Sequence, residues 1–299
     1  MSYIILDLTI NWIRHGFSCA NYLYLNSNYE KIYDKTKDYL KTLAPDAKLT
    51  KSTLDKFENI NNNMNEYQKY ILESDYYCCS ELTRAIETSI FLFSILNKTQ
   101  IYIIKYIGEE VETSFLGKSD NLPSTHDNIE KNINNAKMIY KNIFKKDIQQ
   151  LNIEHANNDE KEKYTGPDFN NFLSKVLPFF IKKNKDKIKN NRLKLSFSIV
   201  SHRNFIKNVT NIGLNNLAVI QQGMFVKYNI DKDKYTFDKK YNIKYYKNIN
   251  HKNIEILNKK NYNEHGSLFM MELDVEPTTK IDISNCDFEL NSNGKIIKK

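Results

Sequence analysis

The chain has 299 residues, enough for one large domain or two small ones with a sizeable buried core. Hydrophobic residues make up 40% of the chain and charged residues 27%, as in ordinary soluble proteins. Lys and Arg number 44 against 36 Asp and Glu, which gives a formal net charge of +8. A surplus of this size favours anionic partners such as nucleic acid or phosphate esters, but an unspecialised basic surface explains it equally well.

The predicted elements alternate between strands and helices, judged from apolar runs and from apolar residues at helical spacing. In chain order they are strand 3–13, helix 29–43, helix 52–72, strand 76–79, a helix to about residue 96 with Ser80 as its N-cap, strand 100–107, helix 129–144, helix 169–187, strand 193–200, helix 205–212 and strand 217–228. This alternation predicts an α/β sheet with parallel strand pairs.

The domain organisation is suggested by changes in pattern along the chain. Residues 1–229 carry the regular elements and are expected to form one catalytic domain. The looser segment at about 111–168 is expected to be an inserted cap or loop region. Residues 230–299 are rich in Lys and Asn and form a C-terminal extension whose role the sequence does not indicate.

The cysteines and the N-terminus bear on the compartment. Neither a zinc site nor a small disulfide framework fits the spacing of Cys19, Cys78, Cys79 and Cys286, so a reducing compartment is the default. The apolar start lacks a basic beginning and a cleavage site, and no apolar run is long enough to cross a membrane. The sequence therefore predicts a cytoplasmic protein that does not insert into membranes.

Three polar clusters each follow an apolar strand and precede a helix: RHG at 14–16, SELTR at 80–84 and SHR at 201–203. If the strands are parallel, the clusters meet at the carboxyl edge of the sheet, where α/β proteins bind ligands. The side chains expected there are Arg14, His15, Arg84, His202 and Arg203.

Guanidinium and imidazole donors beside helix N-termini suit a phosphoryl group. Arg84 is expected in the first turn of its helix, where the helix dipole disfavours a cation. A bound anion would explain that placement, and so would a side chain that merely reaches solvent. Gly16 strengthens the case for His15, because glycine lets the backbone turn sharply and approach a ligand.

The same residues carry a family resemblance. The stretch IRHG, followed by Ser18 and Asn21, resembles the RHGxSxxN signature of the histidine phosphatase (phosphoglycerate mutase-like) superfamily. The segments LTKS, SELTRAIETS, YIGEE, GKSDNLPS and IVSH resemble further segments of that family, in the same order and at fitting spacing. The resemblance extends over roughly residues 10–228.

The resemblance implies a three-layer α/β/α sandwich with a mostly parallel central sheet. His15 would attack phosphorus and become phosphohistidine, and His202 would help to hold the phosphoryl oxygens. Glu109 would protonate the leaving oxygen and then help to activate water. Arg14, Arg84, Asn21 and Arg203 are the residues assigned to phosphate binding. No metal and no cofactor is required.

Three departures from the family pattern bear on activity. Phe17 replaces the usual polar residue after RHG, and Arg203 stands where Gly is common. Arg203 could contact phosphate or point away. Glu109 and Glu110 are both candidates for the acid, with Glu109 preferred because it lies two residues after Ile107.

The resulting prediction is a phosphatase that hydrolyses phosphomonoesters of a small molecule or a phosphoprotein. Mutase-type phosphoryl transfer and an inactive relative that binds phosphorylated ligands or proteins are the alternatives. Cys78 and Arg84 also match the C-x5-R spacing of cysteine-dependent phosphatases, but Cys78 is expected in an apolar strand that disfavours a thiolate. No nucleic-acid-binding module is recognised, and a homodimer remains open.

Overall fold

The computed structural model describes residues 2–26, 43–110, 121–156, 166–240, 243–245, 269–273, 281–292 and 296–299. The helix predicted at 29–43 lies almost wholly outside the described residues. Among the described helices, none is both long and apolar enough to span a bilayer.

A mostly parallel sheet forms the centre of the protein. Its strands follow the order β4-β3-β2-β5-β1-β6-β7, and the first five of these are mutually parallel. The other two, β6 and β7, run antiparallel to their neighbours. The strands are β1 (Ser2–Arg14), β2 (Tyr76–Ser80), β3 (Gln100–Ile104), β4 (Asn152–His155), β5 (Arg192–Ser201), β6 (Ala218–Asp231) and β7 (Lys234–Phe237).

Two short strands, β8 (Lys244–Tyr245) and β9 (Phe269–Glu272), also pair with β6. A separate antiparallel pair is formed by β10 (Phe288–Leu290) and β11 (Ile296–Lys298). The described helices are α1 (Cys19–Asn26), α2 (Lys51–Asn63), α3 (Glu66–Leu72), α4 (Thr83–Ile95), α5 (His126–Phe144), α6 (Phe169–Asn171), α7 (Leu177–Lys183) and α8 (Arg203–Thr210). A π-helical segment, Phe172–Val176, joins α6 to α7.

Both faces of the sheet are covered by helices. Alternate residues of β1, from Ile4 to Trp12, pack in one apolar cluster with side chains of α7 and α8. Trp12 makes edge contacts there, with its ring centroid 5.6 Å from that of Phe205. The opposite face packs against α2, α4 and α5. The predicted three-layer α/β/α arrangement is confirmed.

Several element boundaries differ from those predicted. The helix predicted at 52–72 is interrupted at Asn65, whose side chain caps α3 in a reciprocal capping box, so α2 and α3 are separate. Ser80 is not an N-cap, because it belongs to β2 and Leu82 occupies the cap position of α4. The strand predicted at 100–107 ends at Ile104 and continues as a 3-10 turn.

The segment predicted to be an inserted cap contributes to the central layers. Within it, β4 pairs in parallel with β3, and α5 packs on the sheet through Ile129, Ala136 and Tyr140. The boundary predicted between residues 229 and 230 falls inside β6, and β7 extends the same sheet. Part of the C-terminal extension therefore continues the main fold.

The structure contains one disulfide that the spacing of the cysteines does not predict. Cys19 and Cys286 are joined by a disulfide, with their Cα atoms 5.8 Å apart and a sequence separation of 267. Spacing rules detect compact local frameworks, whereas the fold brings this pair together from opposite ends of the chain. Because disulfides persist mainly in oxidising surroundings, the bond disagrees with the reducing compartment taken as default.

Candidate active site

The three polar clusters lie at the same edge of the sheet, as the sequence predicts. In the β1–β5 ladder Arg14 is level with Ser201, and in the β2–β5 ladder Cys79 is level with Val200. Because these strands are parallel, the residues that follow them emerge side by side at their carboxyl ends. The ring centroids of His15 and His202 are 5.0 Å apart.

The ring of His15 is oriented so that one of its nitrogens is a hydrogen-bond acceptor. Its Nδ1 lies 2.7 Å from the carbonyl oxygen of Gly16, a contact that places the ring proton on Nδ1. The other nitrogen, Nε2, accepts a hydrogen bond from Nε of Arg84 at 3.3 Å. Burial, followed by the charges of Arg84 and Arg14, lowers the pKa of His15 well below 6.5. The ring is therefore neutral, with a lone pair on Nε2.

The backbone turn after His15 depends on glycine. A Cβ on Gly16 would lie 2.5 Å from Cγ2 of Thr53, which is too close for any other residue without rearrangement. The amide of Gly16 donates to the hydroxyl of Thr88 at 3.0 Å, and the hydroxyls of Thr50 and Thr53 donate to the carbonyl of Phe17. The turn is thereby fixed from two helices, α2 and α4.

His202 is fully buried and is fixed by Ser80. The side-chain oxygen of Ser80 lies 2.6 Å from Nε2 of His202, while Nδ1 has no partner among the described residues. Burial, with the nearby charge of Arg84, lowers the pKa of His202 well below 6.5. A buried polar nitrogen without a partner is costly, so the site gains when a ligand supplies one.

Two arginines lie beside the histidines. Arg14 donates from Nη1 to the carbonyl of Leu214 at 2.9 Å, and its buried Nε has no partner in the described part of the chain. Burial, then repulsion from Arg203, lowers the pKa of Arg14 to about 10. Arg84 is buried and donates from Nη2 to Oδ1 of Asn121 at 2.7 Å. With this pKa the guanidinium of Arg14 remains charged near neutral pH.

Of the two candidate acids, Glu109 is the one at the site. Burial raises the pKa of its carboxyl group despite the opposing charge of Arg84. Its oxygens accept from the amides of Glu110 and Asn204, the latter in the first turn of α8. Glu110 is exposed and accepts from the side chain of Asn208 at 3.3 Å. Glu109 is thus the more buried of the two and interacts with the charges of Arg84 and Arg14, and its role in proton transfer stays a prediction.

Asn21 and Arg203, the other two residues assigned to phosphate binding, differ in their surroundings. Oδ1 of Asn21 accepts from the amide of Ser18 at 3.1 Å and from Asn216 at 3.4 Å, so this oxygen fixes the loop after His15. Arg203 is exposed at the first position of α8, next to His202.

Three site residues were not found by sequence reasoning. The sequence predicts Ser80 as a helix cap and assigns no individual role to Asn121 or Asn216. Asn216 donates to the carbonyl of His15 at 3.0 Å, and Asn121 also donates to the carbonyl of Glu110 at 2.8 Å. Small polar residues at loop positions are frequent in this Asn-rich chain, so composition hides them.

Cys78 does not share this site. Its side chain is fully buried in the apolar cluster that contains Trp12, and burial raises the pKa of its thiol well above 9.0. Arg84 instead contacts His15. A thiol in these surroundings does not supply the thiolate that a cysteine-dependent phosphatase requires. Among the described residues no cluster of His, Cys, Asp and Glu side chains is arranged to hold a metal ion.

Comparison with known proteins gives matches among solved structures. A phosphoglycerate mutase from Bacillus anthracis aligns with 79% of this chain and 92% of its own, at 14% identity and a TM-score of 0.32. A mycobacterial glucosyl-3-phosphoglycerate phosphatase aligns with 77% of this chain and 96% of its own, at 11% identity and a TM-score of 0.32. An ecdysone phosphate phosphatase from Bombix mori, solved with tungstate, aligns with 77% and 92% of the two chains, at 10% identity and a TM-score of 0.36.

No protein-family model matches the sequence, and no curated protein matches it. Fold and site by themselves define an α/β protein with two neutral histidines and three arginines at the carboxyl edge of a mostly parallel sheet.

Proposed function

We propose that this protein is a phosphatase that hydrolyses phosphomonoesters through a phosphohistidine formed on Nε2 of His15. The observation that carries the proposal is the state of this ring: it is neutral and protonated on Nδ1, and the lone pair on Nε2 is directed at the guanidinium of Arg84. A nucleophile with a lone pair beside fixed cations is what attack on a phosphoryl dianion requires.

The first step transfers the phosphoryl group to the protein. Nε2 of His15 forms the bond to phosphorus while the bond from phosphorus to the ester oxygen breaks. Arg84 and Arg14 compensate the charge on the phosphoryl oxygens. Glu109, whose carboxyl pKa is raised by burial, gives its proton to the departing alkoxide. The products of this step are the free alcohol and phosphohistidine.

The second step regenerates the histidine. The carboxylate of Glu109 removes a proton from water as the water oxygen bonds to phosphorus and the bond to Nε2 breaks. Inorganic phosphate leaves, and Glu109 is protonated again. Two buried atoms that lack partners among the described residues, Nε of Arg14 and Nδ1 of His202, are suited to the phosphoryl oxygens in both steps.

Mutase-type transfer uses the same first step and differs in its acceptor, which is an alcohol in place of water. No specific contact of the described residues favours that acceptor, so hydrolysis is the activity proposed. The substrate is a phosphorylated small molecule or phosphoprotein, and a homodimer remains a prediction. The cytoplasmic location is not proposed, because the disulfide between Cys19 and Cys286 argues against a reducing compartment.

The test is hydrolysis of p-nitrophenyl phosphate by the wild type and by His15→Ala. We expect the variant to lose activity by on the order of 10⁴-fold, because the covalent route disappears. His126→Ala, which removes an exposed histidine of α5, is the matched control and retains activity. Equal activity in the wild type and His15→Ala contradicts the mechanism, and loss in Cys78→Ser alone would favour the cysteine route.

A further inference from the structure

Arg203 carries a positive charge that does not stabilise the helix in which it lies. It begins α8, where the positive end of the helix dipole disfavours a cation, and the first turn of that helix contains no acidic residue. The side chain is exposed, and it has neither an ion pair nor a hydrogen bond among the described residues. Helix stability therefore does not explain an arginine at this position.

The guanidinium of Arg203 lies at the border of the candidate active site. A Cβ added to Gly213 would be 3.4 Å from Nε of Arg203. The next residue, Leu214, accepts the hydrogen bond from Nη1 of Arg14. The two guanidinium groups thus flank the same short segment, and repulsion from Arg203 contributes to the lowered pKa of Arg14. Such repulsion is relieved when an anion lies between or beside them.

A single phosphoryl group does not account for all of this charge. Arg14 and Arg84 supply two positive charges, enough for a phosphomonoester dianion, and both histidines are neutral. As the proton donor of the proposed first step, Glu109 enters the reaction without a negative charge. Arg203 is then a third cation at the site, without a carboxylate at ion-pair distance in the described part of the chain.

We propose that Arg203 binds a second acidic group of the substrate, a carboxylate or another phosphate, next to the phosphoryl group that reacts. This inference rests on the proposed function and narrows it to phosphomonoesters that carry a further negative charge close to the ester oxygen. Arg203 is then a specificity-determining residue, and its guanidinium offers two parallel donors to either kind of group.

The test compares three small substrates of similar size: phosphoglycolate, ethylene glycol bisphosphate and 2-hydroxyethyl phosphate. The first two carry a carboxylate and a second phosphate, and the third carries a neutral hydroxyl at the same place. We expect the wild type to prefer at least one acidic substrate in kcat/KM. Arg203→Gln should reduce kcat/KM for that substrate by roughly 10- to 100-fold, the usual effect of one hydrogen bond to a charged group. For 2-hydroxyethyl phosphate it should change kcat/KM by less than about threefold, since only the second acidic group loses its partner.

Lys207→Gln is the matched control, because it removes one exposed positive charge from the same helix. Its substrate preference should stay that of the wild type. The proposal is overturned if Arg203→Gln keeps the wild-type preference, or if Lys207→Gln loses it to the same extent, since the effect is then only that of the general surface charge.

Binding of the three compounds to His15→Ala, measured by calorimetry with and without Arg203→Gln, separates this proposal from the proposed function. Tighter binding of an acidic compound that depends on Arg203, together with no turnover by the wild type, supports the subsite and contradicts hydrolysis. Equal binding of all three compounds overturns the subsite, whatever the turnover.

Discussion

Removal of the disulfide between Cys19 and Cys286 should destabilise the protein strongly. The bond joins α1, four residues after the candidate nucleophile, to the segment that precedes β10. The first residue of β10, Phe288, is fully buried and packs on α1, where it stacks on Tyr22 with ring centroids 6.2 Å apart. Asn285 also donates to the carbonyl of Leu49 at 2.9 Å.

The size of the effect follows from the sequence separation of 267 between the two cysteines. On the chain-entropy relation, a cross-link over such a distance lowers the free energy of the native state relative to the unfolded state by roughly 5 kcal/mol, and measured values are mostly about 2–4 kcal/mol. A loss of about 3 kcal/mol in a chain of this size lowers the melting temperature by roughly 6–12 °C.

The assay is thermal unfolding of the wild type, Cys19→Ala, Cys286→Ala and the double variant. All three variants should melt at a similar, lower temperature, because each removes the same bond and the effects do not add. A dithiol reductant should lower the melting temperature of the wild type and leave the double variant unchanged. Thiol titration of the denatured, unreduced wild type should find two thiols per chain, those of Cys78 and Cys79. Four reactive thiols, or a melting temperature insensitive to the reductant, would refute the bond.

Three further changes have defined outcomes. The pH profile of kcat/KM should be bell-shaped, with neutral His15 required on the acid side and protonated Glu109 on the alkaline side; Glu109→Gln should abolish the alkaline limb that the wild type shows with the same substrate. Burial raises the pKa of Glu87 to about 8, so its protonated side chain contributes fully to the stability of the fold below pH 4.5, and this contribution declines as the pH rises to 8. In urea titrations the free energy of unfolding of the wild type, relative to that of Glu87→Gln, should fall by about 1.4 kcal/mol per pH unit between these two values. Gly16→Ala should reduce kcat by at least about tenfold and unfolding free energy by roughly 1–3 kcal/mol, because the new methyl group meets Thr53, and unchanged kinetics would contradict the tight turn.

The sheet was predictable because its strands carry strong local signals. Alternate residues of β1 face opposite helical layers, and the polar clusters after β1, β2 and β5 mark the carboxyl edge directly. The boundaries between consecutive helices were less predictable, because a single residue determines such a boundary. Asn65 ends one helical pattern by capping the next, and no apolar period marks that position.

The histidines and the arginine at the centre of the site could also be predicted from the sequence. The residues that hold them in place by hydrogen bonds could not. His15, Arg84 and His202 stand in motifs, whereas Ser80 and Asn216 act through hydrogen bonds to partners 122 and 201 residues away. Long-range contacts of this kind leave no local pattern in the sequence.

The disulfide between Cys19 and Cys286 belongs to the same class of long-range contacts. Only the packing of α1 against the segment before β10 brings the two sulfur atoms together. The unpaired cation at Arg203 was visible as a departure from the family pattern, but its position beside Gly213 and its relation to Arg14 required the fold.

The proposed intermediate can be trapped directly. The protein is mixed with ³²P-labelled aryl phosphate, quenched in alkali, in which phosphohistidine survives, and digested for peptide mapping. The account predicts alkali-stable, acid-labile label on the peptide that contains His15, and no such label in His15→Ala. Acid-stable label on another residue, or undiminished label in His15→Ala, would contradict the proposed mechanism.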